Sequence, residues 1–329
     1  MTLATFADKY VNQLRRWVKP LFVEKEPILT TERYCLFIGS HHIHLLGVDK
    51  TPTNNILLSN SSLEYDDVKN IPLILTGLIE RISLTNTPIY WLLSPEDYQL
   101  SLIESLPVQQ NELFGAIKWR ARSLINYPID EAVIDYFNLP PPKKSATSNM
   151  IATVIARKAT LSVMIDTLKS CQAKLSVIDI PELAMRNLTA LYEDDEKSTA
   201  FIYFADNTII LNITREKTLF FTRRLALDSA KEITQANYEQ LCLEILRYFD
   251  YYQSQWRHPS PTRIFVSARH LDDAKLATKL SELMLLTINP FKIKKLEGNQ
   301  ADLQSLEKNN LLSFGCVLRE DGMHAKTGN

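Results

Sequence analysis

The sequence predicts an α/β protein made of two similar halves that face each other across a cleft. Residues 199–227 contain three strand-like segments, rich in β-branched and aromatic residues and separated by short polar breaks, at 201–205, 209–214 and 219–222. The same layout occurs near the start of the chain, at 34–38, 43–48 and 55–59. Each three-stranded meander is followed, after a similar interval, by an amphipathic helix and another strand. This duplication is the reason for predicting two halves.

Length and composition limit the class of protein. The chain has 329 residues, 45% of them hydrophobic, and a formal net charge of −1, which fits a globular protein of about two domains. A nearly neutral chain has no positive field to attract nucleic acid. The four cysteines form no Cys-x-x-Cys pair, which favours buried thiols in a reducing compartment. Because we find no signal-peptide core and no apolar run of about 18 residues, we expect a cytoplasmic protein.

Glycine is scarce in this chain. There are eight glycines, and none lies between Gly115 and Gly298. Loops that wrap phosphate groups need glycine, because their backbone amides approach the ligand closely and often at positive φ. The middle of the chain cannot supply such a loop. The motifs G-x-S-x-G, H-E-x-x-H, G-x-x-x-x-G-K-[ST] and G-x-G-x-x-G are also missing from the sequence.

An amphipathic helix is predicted at residues 4–22, ahead of the first meander. Arg15, Arg16 and Lys19 lie beside its apolar stripe, so the helix either contacts a membrane surface or a partner, or docks on the protein itself. After the first meander, Asp66 and Asp67 open the next helix. The elements that we predict there are a helix at 68–84, a strand at 88–94 and a short helix at 96–106.

The following segment, residues 107–175, is predicted as an insertion of helix, strand, strand and helix. Its first helix ends at the Tyr127–Pro128 break and buries a stripe that includes Leu113 and Ile117. The predicted elements are helix 111–125, strand 132–138, an exposed proline-rich loop at 139–148, strand 150–156 and helix 160–174. A strand at 175–180, a helix at 181–192 and an acidic loop at 193–197 lead to the second half.

The second meander leads into the strongest helical pattern of the chain. Apolar residues from Tyr238 to Trp256 recur at steps of three and four, which is typical of a helix face that packs on a core. The elements predicted after it are strand 262–268, helix 271–286, strand 288–293, helix 301–318 and a disordered tail.

Two groups of polar residues suggest chemistry. On a strand, His42 and His44 point to one face and His41 to the other. Because no third or fourth ligand is evident, we interpret them as part of a polar strand turn and predict no metal site. Arg223 and Arg224 end the second meander, where they either meet an anion or, as we prefer, are simply exposed.

The residues from Phe114 onward, FGAIKWRARSLINYPIDEAVIDYF, form a helix, a Tyr-Pro break, an Asp-Glu pair and a strand that ends in Asp-Tyr. This segment resembles the PilM family of type IV pilus assembly proteins, and within it the MshI proteins of mannose-sensitive haemagglutinin (MSHA) pili. Further similar segments are 178–184 (IDIPELA), 186–188 (RNL), 219–224 (LFFTRR) and 314–319 (FGCVLR). The resemblance extends from about Tyr34 to Arg319.

The resemblance implies the actin-like fold, in which two RNase H-like halves enclose a cleft. It also implies that the insertion forms a small α/β lobe, placed as in the cell-division protein FtsA. The expected division is an N-terminal helix and linker at 1–29, a first half at 30–104 plus 176–194, the lobe at 105–175, a second half at 195–320 and a tail at 321–329.

The chain departs from the family pattern where ATP would bind. An actin-like ATPase carries an Asp-x-Gly turn in each meander and a Gly-Gly pair before the late helix. The residues found here are Phe37, Gly39 and Ser40 in the first turn, Tyr203, Ala205 and Asp206 in the second, and Ser267, Ala268 and Arg269 before the helix. We therefore expect a degenerate nucleotide site, with no ATPase activity and no bound ATP or Mg²⁺.

The resemblance implies a partner as well. A PilM-like protein binds the cytoplasmic N-terminal peptide of a bitopic PilN-like (here MshJ-like) inner-membrane protein, in a groove between the first half and the lobe. We expect Trp119, Arg122 and Tyr127 to border that groove, because tryptophan and arginine are frequent anchors of interfaces. The alternative is that Trp119 packs inside its own lobe.

The expected function is therefore a non-catalytic scaffold at the cytoplasmic side of the inner membrane, in an MSHA-like type IV pilus machine. The helix at 4–22 would add contact with the membrane. Two alternatives remain: an ATP-binding actin-like ATPase of the pilus, and a cytoplasmic component of type II secretion that is similar to GspL.

Overall fold

The computed structural model describes residues 32–51, 55–84, 87–104, 108–143, 150–226 and 234–320. The helix expected at 4–22, the end of the proline-rich loop and the tail expected at 321–329 lie outside the described residues. Within the described ranges, no helix is both long enough and apolar enough to cross a membrane.

The elements of the described residues alternate between strands and helices. In chain order the strands are β1 (Glu32–Ile38), β2 (His42–Lys50), β3 (Asn55–Glu64), β4 (Pro88–Leu92), β5 (Tyr98–Glu104), β6 (Ala132–Asn138), β7 (Met150–Arg157), β8 (Lys174–Asp179), β9 (Thr199–Phe204), β10 (Thr208–Arg215), β11 (Thr218–Ala226), β12 (Arg263–Ala268), β13 (Ile288–Pro290) and β14 (Leu296–Glu297). The α-helices are α1 (Ile71–Ile82), α2 (Gln110–Ala121), α3 (Lys158–Ser170), α4 (Pro181–Thr189), α5 (Gln235–Trp256), α6 (Asp273–Met284), α7 (Gln300–Asn309) and α8 (Leu311–Val317).

These strands form three sheets. The first half has a six-stranded sheet in the order β14-β3-β2-β1-β4-β8, and the second half has a five-stranded sheet in the order β11-β10-β9-β12-β13. Each of these sheets starts with an antiparallel meander and continues with parallel strands. The third sheet, which belongs to the lobe, has the order β5-β7-β6. The two predicted meanders and the duplicated layout are thus confirmed.

Several of the helices begin at residues that stabilise the N-terminus of a helix. The side chain of Thr234 accepts a hydrogen bond from the backbone N–H of Asn237 at the start of α5, at 3.3 Å. Asp272 does the same for Lys275 at the start of α6, at 2.9 Å. Such caps satisfy amide groups that have no partner within the helix. Helix α4 begins with Pro181, whose missing N–H costs nothing in the first turn.

The core lies in layers between and outside the two large sheets. A cluster between the halves joins Phe37 and Tyr90 of the first sheet to Phe201 and Phe265 of the second, and includes residues of α4 and α8. A second cluster packs α5 and α6 on the outer face of the second sheet. A third packs α1 and α3 on the outer face of the first sheet. Because the central cluster is shared, the halves are in direct apolar contact along the base of the cleft.

The lobe sheet has two different faces. Ile151 and Ile155 of β7 pack under α2. Ala152 and Val154 of the same strand belong to the cluster of the first half, together with Phe137. Since successive residues of a strand point to opposite faces, the sheet separates α2 from the first half.

The chain returns to the first half at its end. Leu296 of β14 pairs in parallel with Asn55 of β3, and α8 packs against α4. Residues 296–320, which were expected within the second half, therefore cover the first.

Three further expectations need correction. The segment expected as a helix at 96–106 contains strand β5, which pairs antiparallel with β7 of the lobe and so falls on the other side of the predicted boundary at residue 105. The helix expected at 160–174 ends at Ser170 and packs against α1 and β8 of the first half. The single helix expected at 301–318 is two helices, because Asn310 has a non-helical φ of −130°.

Candidate functional site

The cleft is lined by β1, by the segment after β4, by the turn between β9 and β10 and by the segment after β12. It holds a cavity of about 170 Å³, whose lining includes Phe37, Tyr203, Ala205, Asp206, Arg224 and Arg269. Sites for small molecules typically measure about 300–1,000 Å³, so this cavity is small for a nucleotide. Four of the residues predicted at the degenerate loops, besides Arg269, thus meet at one place in the structure.

Arg269 connects the two halves across the cleft. Its Nη2 atom lies 3.0 Å from Nε2 of His44 on β2, and its guanidinium group lies over the ring of Phe37, 5.1 Å from the ring centre. On its own side of the cleft, Arg269 Nε lies 3.7 Å from a carboxylate oxygen of Asp206. His270 Nε2 approaches the same oxygen at 2.6 Å. The guanidinium group therefore lies between the two meander turns.

The histidines of the first meander are packed around this contact. The rings of His42 and His44 lie 4.6 Å apart on one face of β2, as the alternation predicted. Burial, followed by the neighbouring His42 and Arg269 charges, lowers the pKa of His44 to about 3. Burial and Arg269 lower the pKa of His42 to about 4. A guanidinium group can only donate, so His44 Nε2 accepts and the imidazole is neutral.

The space beside Gly39, the glycine of the first turn, is occupied by another side chain of the protein. A Cβ atom built on Gly39 would lie only 2.4 Å from Nε2 of His42. The N–H of Gly39 donates to the carbonyl of His42 at 2.9 Å, within the turn. Ser40 is exposed in the same turn. The space next to Gly39 is therefore occupied by an imidazole ring of the protein itself.

In the second turn and in the segment after β12, backbone N–H groups are already hydrogen-bonded within the protein. Tyr203 is buried, and burial raises its pKa to about 12. The N–H of Ala205 donates to Thr208 within the turn at 2.9 Å. The carboxylate of Asp273 accepts from the N–H of Ala268 at 2.7 Å and also bonds with Ser267. Burial raises the pKa of Asp273 to about 6, against the effect of these hydrogen bonds.

A three-way junction of Tyr98, Glu182 and Arg224 adjoins the cavity, and sequence reasoning missed it. Arg224 Nε donates to the fully buried carboxylate of Glu182 at 2.8 Å. The Tyr98 hydroxyl donates to the other oxygen of Glu182, and Arg224 lies 4.2 Å from the centre of the Tyr98 ring. Burial alone would lower the pKa of Arg224, but Glu182 and Tyr98 hold it above its ordinary value.

The preferred interpretation of Arg224 as an exposed strand end is therefore wrong. Strand alternation was the available signal, since Arg224 follows the buried Thr222 by two residues and shares its face. Its partner Glu182 is distant in sequence, so nothing local identified the pair.

The predicted partner residues lie on the lobe. The Trp119 side chain is 67% exposed, which rules out its packing inside the lobe. Arg122 follows one turn later and is exposed, as is Gly115 one turn earlier, where a Cβ atom would meet nothing within 4 Å. Glu112, Gly115, Trp119 and Arg122 thus form an exposed stripe at helical spacing, which we call the lobe stripe.

The lobe stripe does not border the first half. Helix α2 covers the face of the lobe sheet that is turned away from it, so the expected position of Trp119 in a groove between the lobe and the first half is wrong. Tyr127 lies elsewhere: the guanidinium group of Arg157, the last residue of β7, lies over its ring at 4.1 Å from the centre. The structure therefore places Trp119 and Arg122 together and Tyr127 at the junction of the lobe and the first half.

Among the described residues, no three His, Cys, Asp or Glu side chains lie close enough to hold a metal ion. His42 and His44 remain a pair.

Two sheets that enclose a cleft, each starting with a meander, define an actin-like fold, and solved structures of that class are similar to this one. The structure described as the PilM-PilN type IV pilus biogenesis complex aligns over 89% of this chain and 99% of that chain, with 16% identity and a TM-score of 0.69. A Bacteroides thetaiotaomicron protein described as having an actin-like ATPase fold and unknown function aligns over 88% and 97%, with 10% identity and a TM-score of 0.53.

The cytoplasmic domain of EpsL, an inner-membrane component of the type II secretion system of Vibrio cholerae, aligns over 88% of this chain and 96% of that chain, with 12% identity and a TM-score of 0.50. In sequence, residues 100–245 match the family model of the type IV pilus assembly protein PilM. That match runs from β5 of the lobe into α5. A search among curated proteins gives no match.

Proposed function

We propose that this protein is a non-catalytic scaffold of a type IV pilus assembly machine, of the MshI type, at the cytoplasmic face of the inner membrane. Its partner is the cytoplasmic N-terminal peptide of a bitopic inner-membrane protein of the PilN or MshJ type. The match of residues 100–245 to the PilM model supports this assignment. The similarity to a PilM structure in complex with PilN supports the choice of partner.

One observation carries the proposal: a tryptophan is two-thirds exposed on a helix within the matched segment. The Trp119 side chain is 67% exposed, and an apolar side chain of this size gains most when a partner covers it. Arg122 lies beside it in the lobe stripe and supplies a cation, so the stripe suits a peptide with an apolar anchor and a nearby acceptor. We therefore place the peptide on the outer side of α2.

The experiment is a calorimetric titration with synthetic N-terminal peptides of PilN-type proteins. Wild type should bind, and Trp119→Ala should weaken the affinity by about 2 kcal/mol, or roughly thirtyfold, as expected of an interface anchor. Leu243→Ala is the matched control, because Leu243 is 57% exposed on α5, outside the lobe, and its truncation should change nothing.

The outcomes separate the partner from its position. If folded wild type binds no peptide of this class, the scaffold proposal fails. If Trp119→Ala binds as tightly as wild type, the partner stands and the lobe stripe is the wrong surface. A loss with Tyr127→Ala but not with Trp119→Ala would move the peptide to the junction of the lobe and the first half.

The absence of ATPase activity is part of the proposal. The His42 ring beside Gly39, the buried Tyr203 and the Arg269 bridge occupy the space between the meander turns, which supports a cleft that does not admit the phosphates of ATP. We expect the affinity for ATP with Mg²⁺ to be weaker than about 100 μM, or roughly −5.5 kcal/mol. A tighter affinity in the same calorimeter would favour the alternative of an ATP-binding pilus ATPase.

The second candidate is a cytoplasmic component of type II secretion of the GspL class. The similarity to the EpsL cytoplasmic domain favours it. The same titration discriminates between the candidates, because peptides from type II secretion membrane proteins would then bind and PilN-type peptides would not.

The N-terminal residues 4–22 would add contact with the membrane surface and raise the local concentration of the scaffold beside its partner.

A further inference from the structure

Strand β11 of the second half contacts the lobe at Arg224 and shares an apolar cluster with it at Leu219. Toward its end, Arg224 enters the three-way junction with Tyr98, the first residue of lobe strand β5. At its start, Leu219 belongs to the same apolar cluster as Phe137 and Leu139 of the lobe. The lobe itself shares that cluster with the outer face of the first sheet. The lobe and the first half are therefore one packed body, and the second half contacts this body along β11.

The contact at Arg224 is extensive and buried. Arg224 Nη1 donates to the carbonyl of Pro95 at 2.7 Å and to that of Tyr98 at 3.3 Å, in addition to its ion pair with Glu182. Asn212 of β10 donates to the backbone carbonyl of Glu182 at 2.7 Å. Strands β10 and β11, helix α4 and the entry to the lobe thus meet at one point, through several charge-assisted hydrogen bonds.

Helix α5 makes a further contact with a proline-rich strap, residues 139–143, which continues β6 of the lobe. The indole N–H of Trp256, the last residue of α5, donates to the carbonyl of Pro140 at 2.9 Å. The ring of Trp256 is stacked on Tyr252 and meets the edge of Phe220 of β11. His258 also lies on this aromatic cluster. Because proline restricts its own backbone, the strap is held straight at little entropic cost and suits an aromatic surface.

We propose that the lobe is a clasp that holds the two halves of the molecule at a fixed angle. The three-way junction is its pivot, and the contact of Pro140 with Trp256 is its latch. A rotation of the second half against the first must move Trp256 away from Pro140, because the strap belongs to the body formed by the lobe and the first half. The latch opens first, since a single hydrogen bond joins Trp256 to the strap whereas the pivot is a buried network of charges.

The clasp is independent of the proposed partner and of any occupant of the cleft. Its test is a distance measurement by pulsed electron paramagnetic resonance between spin labels on Asn111→Cys of α2 and Arg247→Cys of α5, both exposed positions. The half-buried Cys171 is replaced by alanine in every sample, and the other native cysteines are buried. Wild type should give one narrow distance distribution.

Trp256→Phe keeps an aromatic ring but removes the donor to Pro140, and we expect it to broaden the distribution at least twofold. Trp91→Phe is the matched control: Trp91 is equally buried, and its indole nitrogen makes no hydrogen bond within the described part of the chain. It should leave the distribution narrow. A second variant replaces Pro140, Pro141 and Pro142 by glycine, which loosens the strap and leaves Trp256 in place.

Broadening by the strap variant and by a folded Trp256→Phe, but not by Trp91→Phe, supports the clasp. If Trp256→Phe does not fold, the strap variant decides alone. A narrow distribution in the strap variant, or equal broadening in the Trp91→Phe control, overturns the proposal.

Discussion

Gly315 lies at a close backbone approach between α8 and α4, and we predict that Gly315→Ala destabilises the whole molecule. A Cβ atom at this position would lie 2.3 Å from the carbonyl oxygen of Ala184 and 2.9 Å from Cγ of Leu188. The backbone oxygen cannot turn aside as the end of a flexible side chain would. Helix α8 must therefore move away from α4 by roughly 1 Å to restore an ordinary contact.

The size of the effect follows from three contributions. Overpacking a closely fitted core costs about 1–3 kcal/mol. The carbonyl of Gly315 accepts a hydrogen bond from the Asn187 side chain at 2.9 Å, and its loss adds about 1 kcal/mol. Alanine favours helix over glycine by about 1 kcal/mol, which offsets part of the loss. We expect the free energy of unfolding to fall by about 1–3 kcal/mol.

The assay is urea denaturation followed by circular dichroism, with Gly77→Ala as the matched control. Gly77 lies within α1, and a Cβ atom there would meet nothing within 4 Å, so the same substitution should raise stability by about 1 kcal/mol. The two variants share one chemical change and differ only in the space around it. A Gly315→Ala variant that is as stable as wild type would show that α8 does not fit α4 as closely as the structure has it.

Three further predictions concern a helix end, the cleft and the junction. Leu285 follows the last residue of α6 with a φ of +55°, a left-handed conformation that strains any residue other than glycine, and it is 88% exposed. Leu285→Gly should therefore raise the free energy of unfolding in urea by about 1 kcal/mol, and a decrease would show that the backbone is not strained there. In the folded state the pKa of His44 is lowered to about 3, so the unfolded state binds more protons and the protein loses stability as the pH falls below 6.5. Between pH 7 and pH 5, the free energy of unfolding of His44→Gln should therefore fall by about 2 kcal/mol less than that of wild type, and an equal fall in both proteins would refute this. Glu182→Gln leaves Arg224 without its buried carboxylate and should cost about 3 kcal/mol in urea, whereas a neutral result would mean that the pair adds no stability.

The two halves were predictable because their signals are local. Both meanders consist of β-branched and aromatic runs with polar turns between them, and the structure places strands at both sites. The long stripe of α5 was equally clear, and its buried residues from Leu241 to Trp256 have the predicted spacing. In these segments the local preference and the tertiary packing agree.

The secondary structure of β5 in the lobe could not be predicted from its local sequence. Residues 98–104 contain leucines at 100 and 102 and an isoleucine at 103, so the run is short and fits both a strand and a helix. The pairing of Tyr98 with Ala156 and of Leu102 with Ala152 decides for the strand. That pairing partner, β7, lies about fifty residues further along the chain, after α2 and β6, so no window around β5 contains the deciding information.

The candidate site was predicted only in part, because its contacts join residues that are far apart in the sequence. Five of the residues predicted at the nucleotide loops line one cavity, because the fold fixes where such loops must lie. Their contacts were not predicted, since the bridge from Arg269 to His44 joins residues that are 225 positions apart. The junction of Glu182 with Arg224 is also long-range. Only the packed structure shows that the charges at these positions already have partners.

Contacts within the chain join the two halves across the cleft. A ligand that binds only the folded state stabilises it by an amount that grows with its concentration, about 2.7 kcal/mol at 100 times its dissociation constant. Arg269 and the clasp join the halves through contacts that are part of the chain, so their contribution does not depend on any ligand. In a thermal denaturation with about 10 mM ATP and Mg²⁺, which is 100 times a dissociation constant of about 100 μM, Tm should therefore shift by less than about 1 °C. Arg269→Ala should lower Tm with and without ATP, because it removes a contact and creates no site. A rise of about 5 °C in wild type, the shift expected of roughly 2.7 kcal/mol, would mean that ATP enters the cleft and that the internal contacts give way to it.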